Sequence, residues 1–167
     1  MQVRERRAED LDQLVAIAER VRTSDRYPIH LPDGDFLRFL TRPQSVGAWV
    51  ATQDHAIVGH VALNTETSRP VMRLARDVVT GSPAFVARLF VDPDARRRGI
   101  GARLLEHARV QAVTRGYVPV LDVVDTPSAT AAISLYRRVG LQEVGRTAFR
   151  LADETETDEL IFVWPDG

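Results

Sequence analysis

Between Ala84 and Arg115 the chain passes through an apolar segment, a proline turn, three successive arginines and two glycines that open a long amphipathic segment. Ala84–Val91 (AFVARLFV) reads as a strand from its β-branched and aromatic content. Gly99–Arg115 sets Ile100, Leu104, Leu105, Ala108 and Ala112 on one side and reads as a helix. A strand feeding a long helix through so short a turn points to an α/β chain.

The flanking sequence extends that pattern. Gln2–Arg7 reads as a short strand, and from Asp10 the apolar positions Leu11, Leu14, Val15, Ala18 and Val21 fall at helical spacing. Glu9, Asp10 and Asp12 put negative charge in the first turn of that helix, where the macrodipole favours it. A second short helix is expected at Asp35–Leu40 after the turn Leu31-Pro32-Asp33-Gly34. Val46–Thr52 and Ala56–Leu63, separated by Gln53-Asp54-His55, read as a hairpin. Within Asn64–Pro83, the least patterned stretch, Pro70–Val79 reads as an amphipathic helix. Val118–Val124 suits a buried strand. Ser128–Val139 reads as a helix with Ser128 as N-cap and Gly140 as the C′ glycine. Leu141–Leu151 and Glu159–Trp164 close the chain as strands around an acidic turn, Asp153–Asp158. The expected fold is one domain, residues 1–167, with a mixed, largely antiparallel sheet of six or seven strands and helices on both faces.

Composition removes several kinds of chemistry. Cysteine is absent, which excludes disulfides, thiolate metal sites and a cysteine nucleophile. All 22 basic residues are arginine, so neither a Schiff-base lysine nor a P-loop lysine exists. The four histidines (His30, His55, His60, His107) lack the close pairing of a helical metal site, and no metal is expected. Net charge is −1, so no global field draws the chain to nucleic acid or anionic lipid. No apolar run has membrane-spanning length, the N-terminus lacks a signal-peptide core, and the cytoplasm is the expected address. The sequence leaves the oligomeric state open, a homodimer included.

Arg96-Arg97-Arg98-Gly99-Ile100-Gly101 is an anion cradle by its chemistry. A helix start leaves amide N–H groups without partners and is the positive end of the macrodipole. Glycines without Cβ let a phosphate approach the backbone, and arginine forks match phosphate oxygens. An exposed arginine run with ordinary turn glycines is the bland alternative. A dinucleotide fingerprint is excluded, because Arg103-Leu104 follow Gly101 where a further glycine would be needed.

With the strand end Leu89-Phe90-Val91-Asp92-Pro93, this stretch resembles the signature of GCN5-related N-acetyltransferases, Arg/Gln-x-x-Gly-x-Gly/Ala after Leu-x-Val-x-Pro. A second stretch, Ala132-Ile133-Ser134-Leu135-Tyr136-Arg137-Arg138-Val139-Gly140-Leu141, resembles that family's Ala-x-x-Leu-Tyr-x-x-x-Gly-Phe motif. Ala129 and Leu141 depart from it, where many relatives carry Asn and Phe. The resemblance implies an acetyl-coenzyme A cosubstrate whose pyrophosphate sits on the amides from Arg97 through Ala102. It implies a pantetheine arm pairing with the backbone of Leu89, Phe90 and Val91, with Ser134 and Tyr136 from the second motif beside it.

Acyl transfer from a thioester to an amine needs an amine freed of its proton, a donor for the oxyanion and a proton for the departing sulfur. The Val91 amide is the candidate donor for the oxyanion. Resemblance assigns the sulfur proton to Tyr136; a phenol of pKa ~10 stays protonated at neutral pH beside a thiol of ~8.5. Packing between helix and sheet is a second role open to it. The strand before the signature, Ala84-Phe85-Val86-Ala87-Arg88, offers no carboxylate where some relatives present Glu. His60, acting through water, and Glu66 are the candidate bases; a partly buried, hydrogen-bonded strand histidine, or an amine that enters already neutral, are the alternatives. Thr23–Phe36 and Asn64–Pro83 are expected to recognise the acceptor, with Asp33 and Asp35 either attracting a cationic amine or serving as turn formers and caps. Three readings follow: an N-acetyltransferase acting on a primary amine of a small molecule or peptide, a catalytically weak acetyl-coenzyme A-binding regulatory module, and a plain α/β domain.

Overall fold

The structure is a computed structural model that describes residues 1–43 and 45–165. Seven strands form one sheet in the order β1-β2-β3-β4-β5-β7-β6. The strands are β1 (Gln2–Glu5), β2 (Ser45–Gln53), β3 (Ala56–Asn64), β4 (Ser82–Val91), β5 (Tyr117–Val124), β6 (Gln142–Arg150) and β7 (Glu156–Val163). Every neighbouring pair is antiparallel except β4 and β5, which are parallel. The helices are α1 (Leu11–Asp25), α2 (Phe36–Leu40), α3 (Arg69–Val78), α4 (Ile100–Thr114) and α5 (Thr130–Arg138).

Strand alternation sorts the apolar residues into three cores. Leu104, Leu105, Ala108 and Ala112 of α4 and Ile133 and Tyr136 of α5 pack on Val61, Leu63, Ala84, Val86, Leu121, Leu160 and Phe162. The opposite face carries two separate clusters. Leu14, Ile17, Ala18 and Val21 of α1 and Phe39 and Leu40 of α2 cover Val50, Ile57 and Phe90, while Val71 and Ala75 of α3 cover Phe85, Val120 and Ile161. The strip of sheet between these two clusters carries polar side chains instead.

Several local expectations change in the folded chain. Asp10 is the buried N-cap residue of α1 rather than a member of its first turn. Its carboxylate takes both prongs of Arg4 at 2.7 and 2.8 Å and the Arg7 amide at 2.7 Å, tying β1 to the start of α1. Ser128 is not the N-cap of α5. That position is Ala129, and the Ser128 hydroxyl meets Thr126 Oγ1 at 3.1 Å inside a preceding single turn, Pro127–Ala129. The acidic segment from Asp153 is not wholly a turn, since β7 already begins at Glu156. Arg150 reaches Glu156 at 3.1 Å and Arg146 reaches Asp158 at 2.8 Å, so opposite charges across the strands carry that segment into the sheet. Asp33 and Asp35 shape the α1–α2 connection. Asp35 accepts the Arg38 amide at 3.1 Å as the cap of α2, and Asp33 pairs with the Arg38 side chain.

The C-terminus of α5 is closed by Gly140 at φ +91°. The Gly140 amide bonds to Arg137 O at 3.2 Å and the Leu141 amide to Tyr136 O at 3.0 Å, the paired bonds of a Schellman motif. That stop anchors the backbone of Tyr136 and buries Leu141 in the core beside it.

Candidate active site

Strands β4 and β5 run side by side only from Ser82 opposite Tyr117 to Val86 opposite Leu121. Beyond that point β4 continues to Val91 and β5 to Val124 with no ladder between them, leaving a wedge at the carboxyl ends of two parallel strands. Its cause is a bulge in β4. On the β3 side His60 lies opposite Phe90 but Ala62 lies opposite Ala87, so Arg88 and Leu89 share one opposing residue. Arg88 adopts φ +51°, a left-handed conformation that bends the strand away from β5.

His60 holds this bulge. Its Nδ1 donates to Arg88 O at 2.8 Å, its Nε2 faces Arg6 Nη1 at 3.4 Å, and its ring stacks on Phe90 at 5.2 Å between centroids. The ring is 0% exposed, and burial, with the nearby Arg6 and Arg88 charges, lowers its pKa to about 3. The expectation of a base acting through water is therefore corrected, because both ring nitrogens are engaged and no solvent reaches them. The folded-state pKa lies below the ordinary 6.5. Neutral His60 accordingly contributes stability that is complete above about pH 6.5 and is lost as pH falls towards 3. His60→Gln should lose ~1–3 kcal/mol at neutral pH through its broken hydrogen bonds. It should also flatten the decline in melting temperature between pH 6 and 4; denaturation followed by circular dichroism across that range is the measurement.

The bulge also sets which amides face the wedge. Asp92 N–H bonds to Val58 O at 2.9 Å, on the β3 side. Alternation along the strand turns the amides of Leu89 and Val91 to the opposite, open edge. At the mouth of the wedge α4 begins. Gly99 is its N-cap at φ +75°, Arg97 precedes it at φ +61°, and no side chain caps the helix. The amides of the first turn thus lack intrahelical acceptors and converge as a concave nest with a positive potential. A Cβ on Gly99 would meet nothing within 4 Å, so the space in front of this turn is open. Gly101 has a different role, since a Cβ there would stand 3.0 Å from Leu135 Cδ2; its absence lets α5 close on the first turn of α4.

The three arginines divide. Arg96 is not free to grip an anion, because Asp25 at the end of α1 takes its fork at 2.9 and 2.6 Å. It fastens the loop to α1, as does Arg20 on Asp92 at 2.5 Å. Arg97 and Arg98 are exposed at the mouth. Ile100 is buried beneath the turn and only its backbone faces outward; Ala102 is partly exposed. Ser134 is exposed on α5, two positions from Tyr136 and so on a different side of the helix.

Tyr136 comes from the α4–α5 face. Its ring is 7% exposed and packs edge-on against Phe162 at 5.9 Å. Burial, together with Tyr27 and Asp122, pushes its phenol above the ordinary range. Those two residues belong to the opposite face, so the phenol lies within electrostatic reach of groups across the sheet. Tyr27 follows α1, and its pKa is pushed up to about 12, chiefly by burial; its oxygen lies against the Arg88 amide.

Sequence reasoning did not identify the carboxyl pair Asp122 and Glu159. Val124 lies opposite Glu159 and Asp122 opposite Ile161, which puts both carboxyls on the polar strip. Burial raises the pKa of both. The charge of Glu159 raises Asp122 further, well above the ordinary carboxylate range. The two are hydrogen-bonded, Thr67 attends Asp122, and Ser68 Oγ donates to Glu159 Oε2 at 3.4 Å. Such a pair shares one proton more readily than it ionises twice. The one available signal was an aspartate inside the apolar run Val118–Val124. Glu66, by contrast, is exposed in the β3–α3 loop.

A family model described as the acetyltransferase (GNAT) family matches residues 11–141. The alanine N-acetyltransferase of ribosomal protein bS18 from Salmonella typhimurium is 42% identical over 98 residues, covering 56% of this chain and 65% of that protein. The match therefore spans slightly less than two thirds of that relative's length. An N-acetyltransferase from Staphylococcus aureus Mu50 superposes with a TM-score of 0.72 at 18% identity, covering 96% of this chain and 95% of the other. Arabidopsis thaliana NAA60 in complex with a bisubstrate analogue superposes with a TM-score of 0.72 at 19% identity, covering 98% and 97%. At these identities the superpositions establish the fold.

Proposed function

The chain belongs to the acetyltransferase (GNAT) family, and on that premise we propose that it is an acetyl-coenzyme A-dependent N-acetyltransferase acting on a primary amine through a ternary complex. The observation that carries this reading is the wedge between β4 and β5. An uncapped helix start stands at its mouth and two amides turn to one edge.

The site fits the cosubstrate. The open nest from Arg97 to Ala102 takes the pyrophosphate, and Arg97 and Arg98 add forked donors. The unpaired edge of Leu89–Val91 takes the amides of the pantetheine arm as an added strand. Acetyl-coenzyme A supplies a thioester whose carbonyl is attacked by the amine and whose sulfur departs. The Val91 amide faces the negative charge that grows on the carbonyl oxygen. The Asp122–Glu159 pair accepts the proton of the incoming ammonium, its raised pKa making that transfer workable near neutrality. Tyr136 passes its phenolic proton to the sulfur and regains one from the nitrogen, which sheds its second proton as the amide forms. Because the Asp122 charge raises this phenol, arrival of the amine's proton on Asp122 removes that effect and makes Tyr136 the better acid when the sulfur needs one.

Release of free thiol, measured over a panel of primary amines, tests the activity directly. Tyr136→Phe should lower kcat by ~10–100-fold, the scale of one proton transfer, while the affinity for coenzyme A stays within about two-fold. Equal turnover would remove the acid role. Coenzyme A binding without thiol release for any amine would instead favour a regulatory module.

A further inference from the structure

Arg88 is the one arginine among the described residues that is buried, 4% exposed, and no ion pair neutralises it. Its Nη1 donates to Asn64 Oδ1 at 3.0 Å, and its guanidinium lies 5.7 Å from the centre of the Phe39 ring. Its Nε is buried with no acceptor. The charges that act on it are the Tyr27 phenol and two more cations, Arg42 and Arg6. Arg6 itself spends its Nη1 on Leu40 O at 2.6 Å and on His60. A desolvated cation with two further cations nearby is unfavourable unless an anion completes it, and burial accordingly lowers its pKa to about 10.

The position of this charge indicates which anion would complete it. Arg88 is the bulge residue that opens the wedge, one position before Leu89. On the same polar strip stands the Asp122–Glu159 pair, whose need is the opposite one, a cation or a proton. The Tyr27 phenol, against the Arg88 amide, is within electrostatic reach of both the Arg88 guanidinium and the Asp122 carboxylate. One face of the sheet thus carries a buried cation without an anion and a carboxyl pair that takes up a proton. A peptide N-terminus or a simple alkylamine fills only the second.

We propose that the acceptor is a primary amine bearing its own oxyanion, with a free amino acid as the simplest case. Its amine meets Asp122, and its carboxylate is bound by Arg88 with Asn64 and Tyr27 beside it. The inference rests on the N-acetyltransferase reading and narrows the acceptor class. A phosphonate in place of the carboxylate satisfies the same guanidinium.

The test is a ladder of acceptors on the full-length protein: pooled α-amino acids, the matching α-amino amides, the matching aminophosphonates, and hexapeptides beginning with the same residues. Thiol release is read for each, and calorimetry follows binding to the coenzyme A complex in parallel. The expected result is a kcat/KM at least 30-fold higher for acids or phosphonates than for amides and peptides. The better of the two oxyanions identifies the source. Arg88→Gln should collapse that ratio towards one, and Arg88→Lys should restore part of it, each checked for an unchanged melting curve and coenzyme A affinity. Amides or peptides accepted as well as acids by the wild-type protein would overturn the inference and leave the acetyltransferase reading standing. If no acceptor is turned over, calorimetric binding of acids but not amides supports the inference while the reading fails. Equal binding, or none, overturns it. The wild-type comparison decides the matter even where the Arg88 variants fail to fold.

Discussion

Asp122→Asn should lower kcat by ~10²–10⁴-fold, the range that a positioned general base contributes, with coenzyme A affinity little changed. The side chain keeps its shape and its hydrogen bonds to Thr67 and Glu159, but it no longer accepts a proton. The pH profile supplies an independent readout. Because Asp122 must be ionised to act and its pKa is raised, turnover should climb with pH through the apparent pKa of the pair. Glu159→Gln removes the neighbouring charge that raises Asp122, so the acid limb of the profile should move to lower pH. A limb that stays in place, together with near-normal turnover of the Asn variant, would show that the amine arrives neutral and that the pair is structural.

Gly99→Asp should weaken coenzyme A binding by at least ~100-fold, equivalent to ~2.7 kcal/mol. Two effects combine. At φ +75° a residue with a Cβ is strained, and a carboxylate at the mouth of the nest repels the diphosphate that the helix start would attract. Gly99→Ala separates them. Its methyl meets nothing within 4 Å, so it carries only the strain and should cost far less affinity. Titration calorimetry with coenzyme A measures both variants, and a thermal melt confirms folding. Unchanged affinity in the Asp variant would remove the pyrophosphate from this turn.

The uncapped helix start at Gly99 was legible because everything it needs is contiguous. A strand end, a proline turn, two glycines and a helix start depend on residues that are neighbours in the chain, and backbone amides need no distant partner to point outward. The long helices and central strands were legible for a similar reason, their apolar periodicity being a local property. Ser128 shows the limit of that reasoning: its hydroxyl found Thr126 first, and the cap position moved to Ala129. Arg96 shows it again, since a guanidinium that looked free for phosphate is taken by Asp25 from a separate helix.

The chemistry on the opposite face was not legible. His60 stands in a strand as any histidine would; only packing beneath Phe90 and contact with Arg88 O and Arg6 make it a neutral brace for a bulge. Asp122 and Glu159 meet because β5 and β7 are neighbours in the sheet, although a helix and another strand separate them in the chain. Arg88 reads as an ordinary charged residue in an alternating strand until the bulge turns it inward among other cations. The amino-acid order alone determined the uncapped, glycine-led helix start and the succession of elements, since hydrogen-bonding and periodicity act over a few residues. The tertiary structure alone decided which titratable groups lose water and which charges come together, because desolvation and Coulomb energy depend on distances that only the folded sheet sets.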